Sequence, residues 1–146
     1  MTEQYTPQEI ILIKNGELAL KGLNRRTFEE ALMQNLRYRL RRAGSFLVRC
    51  AQSTIYIEPK DDYADLDEAC ETVSRVFGIS AFSRARVVEK DLAAIQAAAV
   101  EYFADALQDA ATFKVEAKRA DKRFALTSPE ISREVGGKVL AHSPHL

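Results

Sequence analysis

The sequence is poor in the residue types that carry most catalytic and metal-binding chemistry. It has no tryptophan, two cysteines and two histidines among 146 residues. Cys50 and Cys70 belong to no C-x-x-C pair or His/Cys cluster, so we predict two core thiols in a reducing compartment. His142 and His145 have no acids or cysteines nearby and are predicted to be solvated loop residues. No Ser/His/Asp or Cys/His set can be assembled without them, so we expect a binding role, with no catalytic residue and no metal site in this chain.

Long apolar segments and a net charge are also absent. No apolar run reaches the length of a membrane-spanning helix, and the first five residues are polar, unlike a signal sequence. We therefore expect a soluble, cytoplasmic protein with no membrane partner. The 21 basic and 21 acidic side chains balance, which excludes a uniformly basic nucleic-acid-binding protein. Any site for a polyanion must come from charges that are segregated along the chain.

The charges are segregated into three zones. Residues 14–42 carry eight cations against three acids, and residues 114–123 carry five cations against two acids. Between them, residues 58–71 carry seven acids and one lysine. The two basic zones suggest two contacts to a polyanion, although charged patches also serve solubility.

Hydrophobic patterning in residues 1–88 predicts a ferredoxin-like domain of the α+β class. A buried strand covers 10–13, and apolar residues then repeat every four positions from Phe28 to Leu40, in a helix that Gly44 ends. The order of elements is β-α-β-β-α-β, the ferredoxin-like arrangement. The remaining predicted elements are strands at 46–50 and 54–58 joined by the loop 51–53, a helix from Asp65 to Gly78 with Phe77 on its apolar face, and a strand at 81–88.

Residues 89–146 predict a second unit that contains both helix and strand. A helix begins after Asp91 and continues through Phe103 to Leu107, and a strand over 112–118 alternates apolar residues with lysines on its outer face. Ser128 is predicted to cap a further helix, with proline and an acid in its first turn.

Two glycines interrupt that last helix. Gly136–Gly137 indicates the close approach of another helix or of a nucleic-acid backbone, with tight helix packing favoured. One strand and two helices provide too little sheet to close a core. We therefore expect the chain to be a fragment of a longer polypeptide.

Three sequence elements place cations where a phosphate backbone can bind. The basic turn Gly16–Gly22 offers backbone N–H groups and a helix N-terminus to an anion, and the alternative is an ordinary solvated loop. Phe124 is predicted either to stack on an unpaired base or to anchor the loop in the core. The predicted RNA-binding residues are Lys21, Asn24, Arg25, Arg26, Arg37 and Arg41 in the turn and on the outer face of the first helix, Lys114, Lys118, Arg119, Lys122, Arg123 and Phe124 in the strand and loop, and Ser128, Arg133 and Gly136 in the last helix.

Two of these segments resemble one known family, the tRNA 4-thiouridine synthases (tRNA sulfurtransferases, ThiI). Gly16–Gly22 with Asn24 and Arg25 is similar to the N-terminal signature of that family. The segment 113–124, followed by Ser128-Pro129-Glu130-Ile131 and the paired glycines, is similar to its THUMP domain. The resemblance covers nearly the whole chain and implies a ferredoxin-like domain over 1–88 and a C-terminally incomplete THUMP domain over 89–146.

The resemblance also implies a function. In the family, these two domains hold the acceptor stem and the 3′-CCA end of tRNA. A following PP-loop domain, absent here, uses ATP and Mg²⁺ to adenylate uridine 8, and persulfide sulfur from a cysteine desulfurase then displaces AMP. Many members also supply sulfur for thiamine biosynthesis, and members generally form homodimers. On this basis the fragment itself binds tRNA, carries no cofactor and is not catalytic.

Two alternatives stay open. The first is another THUMP-bearing enzyme, a methyltransferase or a deaminase, although those families lack the motif between Gly16 and Arg26. The second is a ferredoxin-like ligand-sensing or dimerisation module with no role in RNA binding, which leaves both basic zones unexplained.

Overall fold

A computed structural model describes residues 6–14 and 25–146 of the protein. The chain divides into two compact units, Met1–Val87 and Val88–Leu146. The first unit contains β1 (Glu9–Lys14), α1 (Arg25–Arg39), β2 (Phe46–Ala51), β3 (Thr54–Pro59), α2 (Leu66–Ser74) and β4 (Ser83–Arg86), with a 3-10 turn over Leu40–Arg42 after α1. The second unit contains α3 (Leu92–Tyr102), α4 (Ala104–Asp109) and α5 (Ser128–His142).

The four strands of the first unit form one antiparallel sheet in the order β2-β3-β1-β4. The central strand β1 pairs through Ile11 with Ile57 on one side and with Arg84 on the other. This topology confirms the predicted ferredoxin-like fold of the α+β class.

One face of the sheet and the two helices enclose the core of the first unit. Ile11 and Ile13 of β1 lie opposite Ile57 and Ile55 of β3, so these four side chains share the face that packs into the core. The apolar stripe predicted for α1 is buried at Leu32, Leu36 and Leu40, and Gly44 follows with a φ of +132°. The largest fully buried side chains are Ile11, Ile13, Leu36, Leu40, Ile57 and Val73.

The β2–β3 hairpin turns in two residues, one fewer than predicted. Ala51 and Thr54 still pair, and Gln52 and Ser53 between them have φ of +51° and +62°. Two consecutive positive φ values match the twist of a right-handed hairpin. Neither residue is the usual glycine or asparagine, so residue types alone indicate so short a turn only weakly.

Helix α2 ends at Ser74, before the predicted end at Gly78. Asp65 caps its start as predicted, accepting a hydrogen bond from the Glu68 N–H. At its other end the N–H of Val76 donates to the carbonyl of Val73, and this tighter turn directs Val76 into the core. Phe77 is consequently 90% exposed, so its predicted place on the apolar helix face is wrong. The final strand is also shorter than predicted, covering Ser83–Arg86.

The predicted single helix of the second unit is divided at Phe103, where α3 ends and α4 begins. Asp91 caps α3 as predicted, accepting from the Ala94 N–H. The cap of α5 is Thr127 and not Ser128. Thr127 and Glu130 form a reciprocal capping box at the start of the helix. The Ser128 hydroxyl instead accepts a hydrogen bond from the backbone N–H of Arg119.

The segment 112–118 is not a β-strand, because no described strand pairs with it. The alternation that predicted a strand is nevertheless real: Lys114, Glu116 and Lys118 are exposed, and the residues between them are half-buried. Val115 packs on α5 beside Gly136. A Cβ atom built at Gly136 would lie 3.6 Å from Cγ2 of Val115. That is an ordinary contact, and a Cβ at Gly137 would meet no described atom within 4 Å. The tight helix packing predicted for this glycine pair is therefore not found among the described residues, and the approach of a nucleic-acid backbone stays a prediction.

The burial of the cysteines and the positions of the histidines agree only in part with the predictions. Cys70 is half-buried, but Cys50 is exposed because it lies near the hairpin end of the edge strand β2. His142 lies in the last turn of α5 and not in a loop, and the exposed ring of His145 lies 2.9 Å through Nε2 from the Leu107 carbonyl oxygen. Among residues 6–14 and 25–146 there is no helix long and apolar enough to cross a membrane.

Candidate nucleic-acid interface

The end of α1 and the side of α2 line an open cleft of about 570 Å³ in the first unit. We call it the arginine cleft. Its lining contains four arginines and no carboxylate, in a chain whose net charge is zero. The lining residues are Asn35, Tyr38, Arg39, Arg41, Arg42, Thr72 and Arg75.

Helix geometry explains why the cleft is basic. The last turn of α1 and the 3-10 turn carry four arginines, and cations near a helix C-terminus are stabilised by the free carbonyl groups there. Asn35 accepts a hydrogen bond from Arg39 Nε at 3.0 Å, one helical turn away. Arg75 reaches the same cavity from the C-terminal end of α2.

An exposed aromatic ring lies among these arginines. Tyr38 is 70% exposed, and the guanidinium carbon of Arg41 lies 5.9 Å from its ring centroid. That distance is within the range of a cation–π contact. The cleft therefore combines delocalised cations with a solvent-accessible aromatic face.

The arginines predicted to share the outer face of α1 have three different environments. Arg41 lines the cleft. Arg37 is directed to the sheet, where its Nη2 donates at 2.9 Å to the carbonyl of Val48 on the edge strand β2. Arg26 lies 3.6 Å from Glu30 in a highly exposed ion pair. Lys21 and Asn24, and the side chain of Arg25, lie outside the described residues.

In the second unit, Arg119 organises the predicted basic loop from within. Its Nη1 donates to the carbonyls of Phe124 at 3.1 Å and Leu126 at 3.3 Å. Its backbone N–H donates to Ser128 Oγ at 2.9 Å. Arg119 and Ser128, both predicted to contact RNA, thus contact each other and the loop, and Phe124 is half-buried beside them.

Asp121 neutralises part of the charge of this loop. Its carboxylate accepts from Arg123 Nε at 3.1 Å and from Lys90 Nζ at 3.0 Å. The hydrogen bonds from Arg123, side chain first and then backbone, together with the contact to Lys90, hold the pKa of Asp121 far below its ordinary value.

The remaining predicted cations of the second unit are exposed. Lys114 lies 3.0 Å from Glu116 in an ion pair open to solvent. Lys118, Lys122 and Arg133 are exposed and have no ion pair within 25–146. They are therefore free to meet an external anion.

Sequence reasoning did not identify most of the arginine cleft. It found Arg41 but missed Asn35, Tyr38, Arg39, Arg42, Thr72 and Arg75. The available signal was the density of arginines at the end of α1. Their convergence with Arg75 depends on the packing of α2 beside α1, which no local pattern encodes.

Comparison with protein-family models gives two adjacent matches. Residues 10–83 match the ThiI ferredoxin-like domain, and residues 89–146 match the THUMP domain. The two matches together cover most of the chain.

Two curated proteins similar to this chain are both named probable tRNA sulfurtransferase. A probable tRNA sulfurtransferase of Acetivibrio thermocellus is 40% identical over 141 residues, 95% of this chain and 36% of the relative. One from Staphylococcus aureus strain Newman is 41% identical over 132 residues, 90% of this chain and 32% of the relative. The chain thus spans about a third of the length of these relatives.

Two solved structures are similar to this chain over most of its length. A 4-thiouridine synthetase crystallised with RNA and bound ATP is 29% identical, with a TM-score of 0.71 over 95% of this chain and 34% of its own. A protein of Pyrococcus horikoshii is 28% identical, with a TM-score of 0.72 over 92% of this chain and 45% of its own. The sequence motifs, the sheet topology and both domain matches agree, and the chain belongs to the ThiI family.

Proposed function

We propose that this chain is the tRNA-binding portion of a tRNA sulfurtransferase that makes 4-thiouridine at position 8 of tRNA from ATP and persulfide sulfur. The observation that carries the proposal is the arginine cleft in a ThiI ferredoxin-like domain, together with the exposed cations beside the THUMP loop. The names of the curated relatives and the RNA-bound 4-thiouridine synthetase support it.

The cations act by position and charge. Guanidinium and ammonium groups at the described sites suit phosphate oxygens, which fix the register of an RNA but do not read its sequence. We propose that the bound element is the acceptor stem with its 3′-CCA end. Because each neutralised phosphate releases counterions, affinity falls as salt concentration rises.

The chemical step belongs to the rest of the proposed enzyme. We propose that ATP and Mg²⁺ bind in a separate PP-loop domain. A cysteine desulfurase as the sulfur source, a homodimer, a cytoplasmic location and a link to thiamine biosynthesis are further parts of the same proposal. The contribution of this chain is to bind and orient tRNA.

The test is a titration of the 146-residue chain with a fluorescently labelled tRNA transcript, followed by anisotropy at several salt concentrations. The matched RNA is the same transcript without its 3′-CCA. We expect binding that weakens with salt and that favours the intact end. Equal affinity for the two transcripts would overturn THUMP-type recognition of the acceptor end, and no binding at low salt would overturn the RNA-binding role.

A THUMP-bearing methyltransferase is the weaker alternative. Residues 10–83 match a ThiI ferredoxin-like domain, and the described relatives are named sulfurtransferases. A ferredoxin-like sensing module without RNA is disfavoured by the adjacent THUMP match.

A further inference from the structure

We propose that the arginine cleft is a site for one unpaired RNA nucleotide, with its phosphate held by arginines and its base stacked on Tyr38. This inference rests on the proposed function, because it takes RNA as the ligand. It adds a defined subsite within the first unit and names the type of nucleotide that occupies it.

The charges of the cleft favour a phosphate. Arg42 and Arg75 line it from different helices, and neither has an ion pair among the described residues. Arg39 is oriented by its hydrogen bond to Asn35, which leaves its terminal N–H groups for a ligand. A guanidinium presents paired donors that match two phosphate oxygens, and no carboxylate in the lining competes for them.

The aromatic ring favours a nucleobase beside that phosphate. Tyr38 lies outside the apolar core and is 70% exposed, so burial does not explain its place on α1. The guanidinium carbon of Arg41 lies 5.9 Å from the ring centroid, and most of the Tyr38 surface is exposed and can meet a base. Aromatic side chains commonly bind unpaired bases in this way, without requiring a particular sequence.

The size of the cleft is compatible with one nucleotide. Its volume of about 570 Å³ falls in the range of small-ligand sites, roughly 300–1,000 Å³. The bases of a duplex are stacked on each other, and a ring such as that of Tyr38 cannot stack on them from the side. An unpaired residue can place its base on the ring and its phosphate among the arginines.

Two RNAs and three variants test the stacking. The RNAs are a blunt hairpin and the same hairpin with a short unpaired 3′ extension, each titrated into the whole chain by fluorescence anisotropy. We expect Tyr38→Ala to weaken binding of the extended hairpin by about tenfold and to leave the blunt hairpin nearly unchanged. Tyr38→Phe should retain binding, because the ring is kept. Lys60→Ala is the matched control, since it alters an exposed side chain of the same unit outside the cleft.

The arginine part of the site is tested by salt dependence. Arg42→Ala and Arg75→Ala should each weaken binding of the extended hairpin and lower the slope of log affinity against log salt by about one. Lys60→Ala should leave that slope unchanged. If Lys60→Ala and Arg42→Ala give the same loss, the effect is general charge and the subsite is overturned.

Each remaining outcome also decides the proposal. If the wild-type chain binds tRNA but Tyr38→Ala and Arg42→Ala match wild type, the cleft proposal fails and the proposed function stands. If the wild-type chain binds no RNA, both fail. A last outcome concerns inorganic pyrophosphate as a competitor. Pyrophosphate would compete with RNA equally in Tyr38→Ala and in wild type, and Tyr38→Ala would bind both hairpins normally. The cleft would then be an anion site without a base, and the nucleotide assignment would be overturned.

Discussion

The backbone N–H of Arg119 donates a hydrogen bond to the hydroxyl oxygen of Ser128 at 2.9 Å. This contact ties the start of the basic loop to the first turn of α5, and the Arg119 side chain closes the loop through two carbonyls. Both residues were predicted to contact RNA directly. Their described contacts indicate that they position the loop that displays Lys122.

The first prediction concerns that positioning. Arg119→Ala should lower the free energy of unfolding by about 1–3 kcal/mol, because two carbonyls lose a charged donor. Arg119→Lys keeps the charge but not the planar fork, so it should recover only part of the loss. Thermal unfolding and hydrogen exchange of residues 120–127 measure the effect. Lys122→Ala is the control and should leave both unchanged, and an Arg119→Ala chain as stable and as protected as wild type would contradict the positioning role.

The second prediction concerns Asp121. Asp121→Asn removes the carboxylate that neutralises Arg123 and Lys90, so tRNA affinity should rise by a few-fold at low salt. The pKa of Asp121 is lower in the folded chain than in the unfolded chain. The ionised carboxylate therefore stabilises the folded chain above the unfolded pKa, and this stabilisation is lost as the pH falls through the lower folded pKa. Anisotropy titrations compare the variants, with Asp109→Asn, an exposed acid of the same unit, as control. An affinity gain no larger than that of the control would show that the ion pairs do not restrain the loop.

The third prediction concerns the two thiols. Cys50 is exposed and should react promptly with a thiol reagent. Burial raises the pKa of the half-buried Cys70, so its thiolate is scarce and its reaction should be much slower until the chain unfolds. Mass spectrometry after timed alkylation, with Cys50→Ser and Cys70→Ser as references, separates the two rates. Equal rates in the folded chain would contradict the described placement of Cys70.

The fourth prediction pairs two glycines. Gly78 has a φ of +96°, and a Cβ there would lie 2.5 Å from Cζ of Phe28. Gly78→Ala should therefore destabilise the first unit by about 1–3 kcal/mol. Gly137 lies inside α5 with open space at its Cβ position, so Gly137→Ala should stabilise the second unit by about 1 kcal/mol. Urea unfolding measures both, and a destabilising Gly137→Ala would contradict the open space described at that position.

Much of the fold was predictable because the relevant patterns are local. The four-residue apolar repeat from Phe28 to Leu40 predicted the buried side of α1, and Asp65 predicted the start of α2. The errors arose where a local pattern depends on distant partners. The alternation at 112–118 is present, but a strand requires a neighbouring strand and none is described.

The candidate site was less predictable for the same reason. A helical wheel places Arg37 among the outward cations, but it cannot show that the edge-strand carbonyl of Val48 accepts its hydrogen bond. The wheel likewise cannot bring Arg75 to Arg42, because that meeting depends on how α2 packs on α1. Charge density along the chain indicated the region, and tertiary packing determined which arginines share a cleft.

The most direct test of the account is ultraviolet crosslinking of the tRNA complex, with the crosslinked peptides identified by mass spectrometry. The account predicts crosslinks in the arginine cleft at Tyr38 and Arg42 and in the loop near Lys122. The outer face of the sheet, where Arg49 lies over the ring of Tyr56 at 4.1 Å and pairs with Glu58 at 3.0 Å, should remain free of crosslinks. Crosslinks confined to that sheet face, with none in the cleft or the loop, would contradict it.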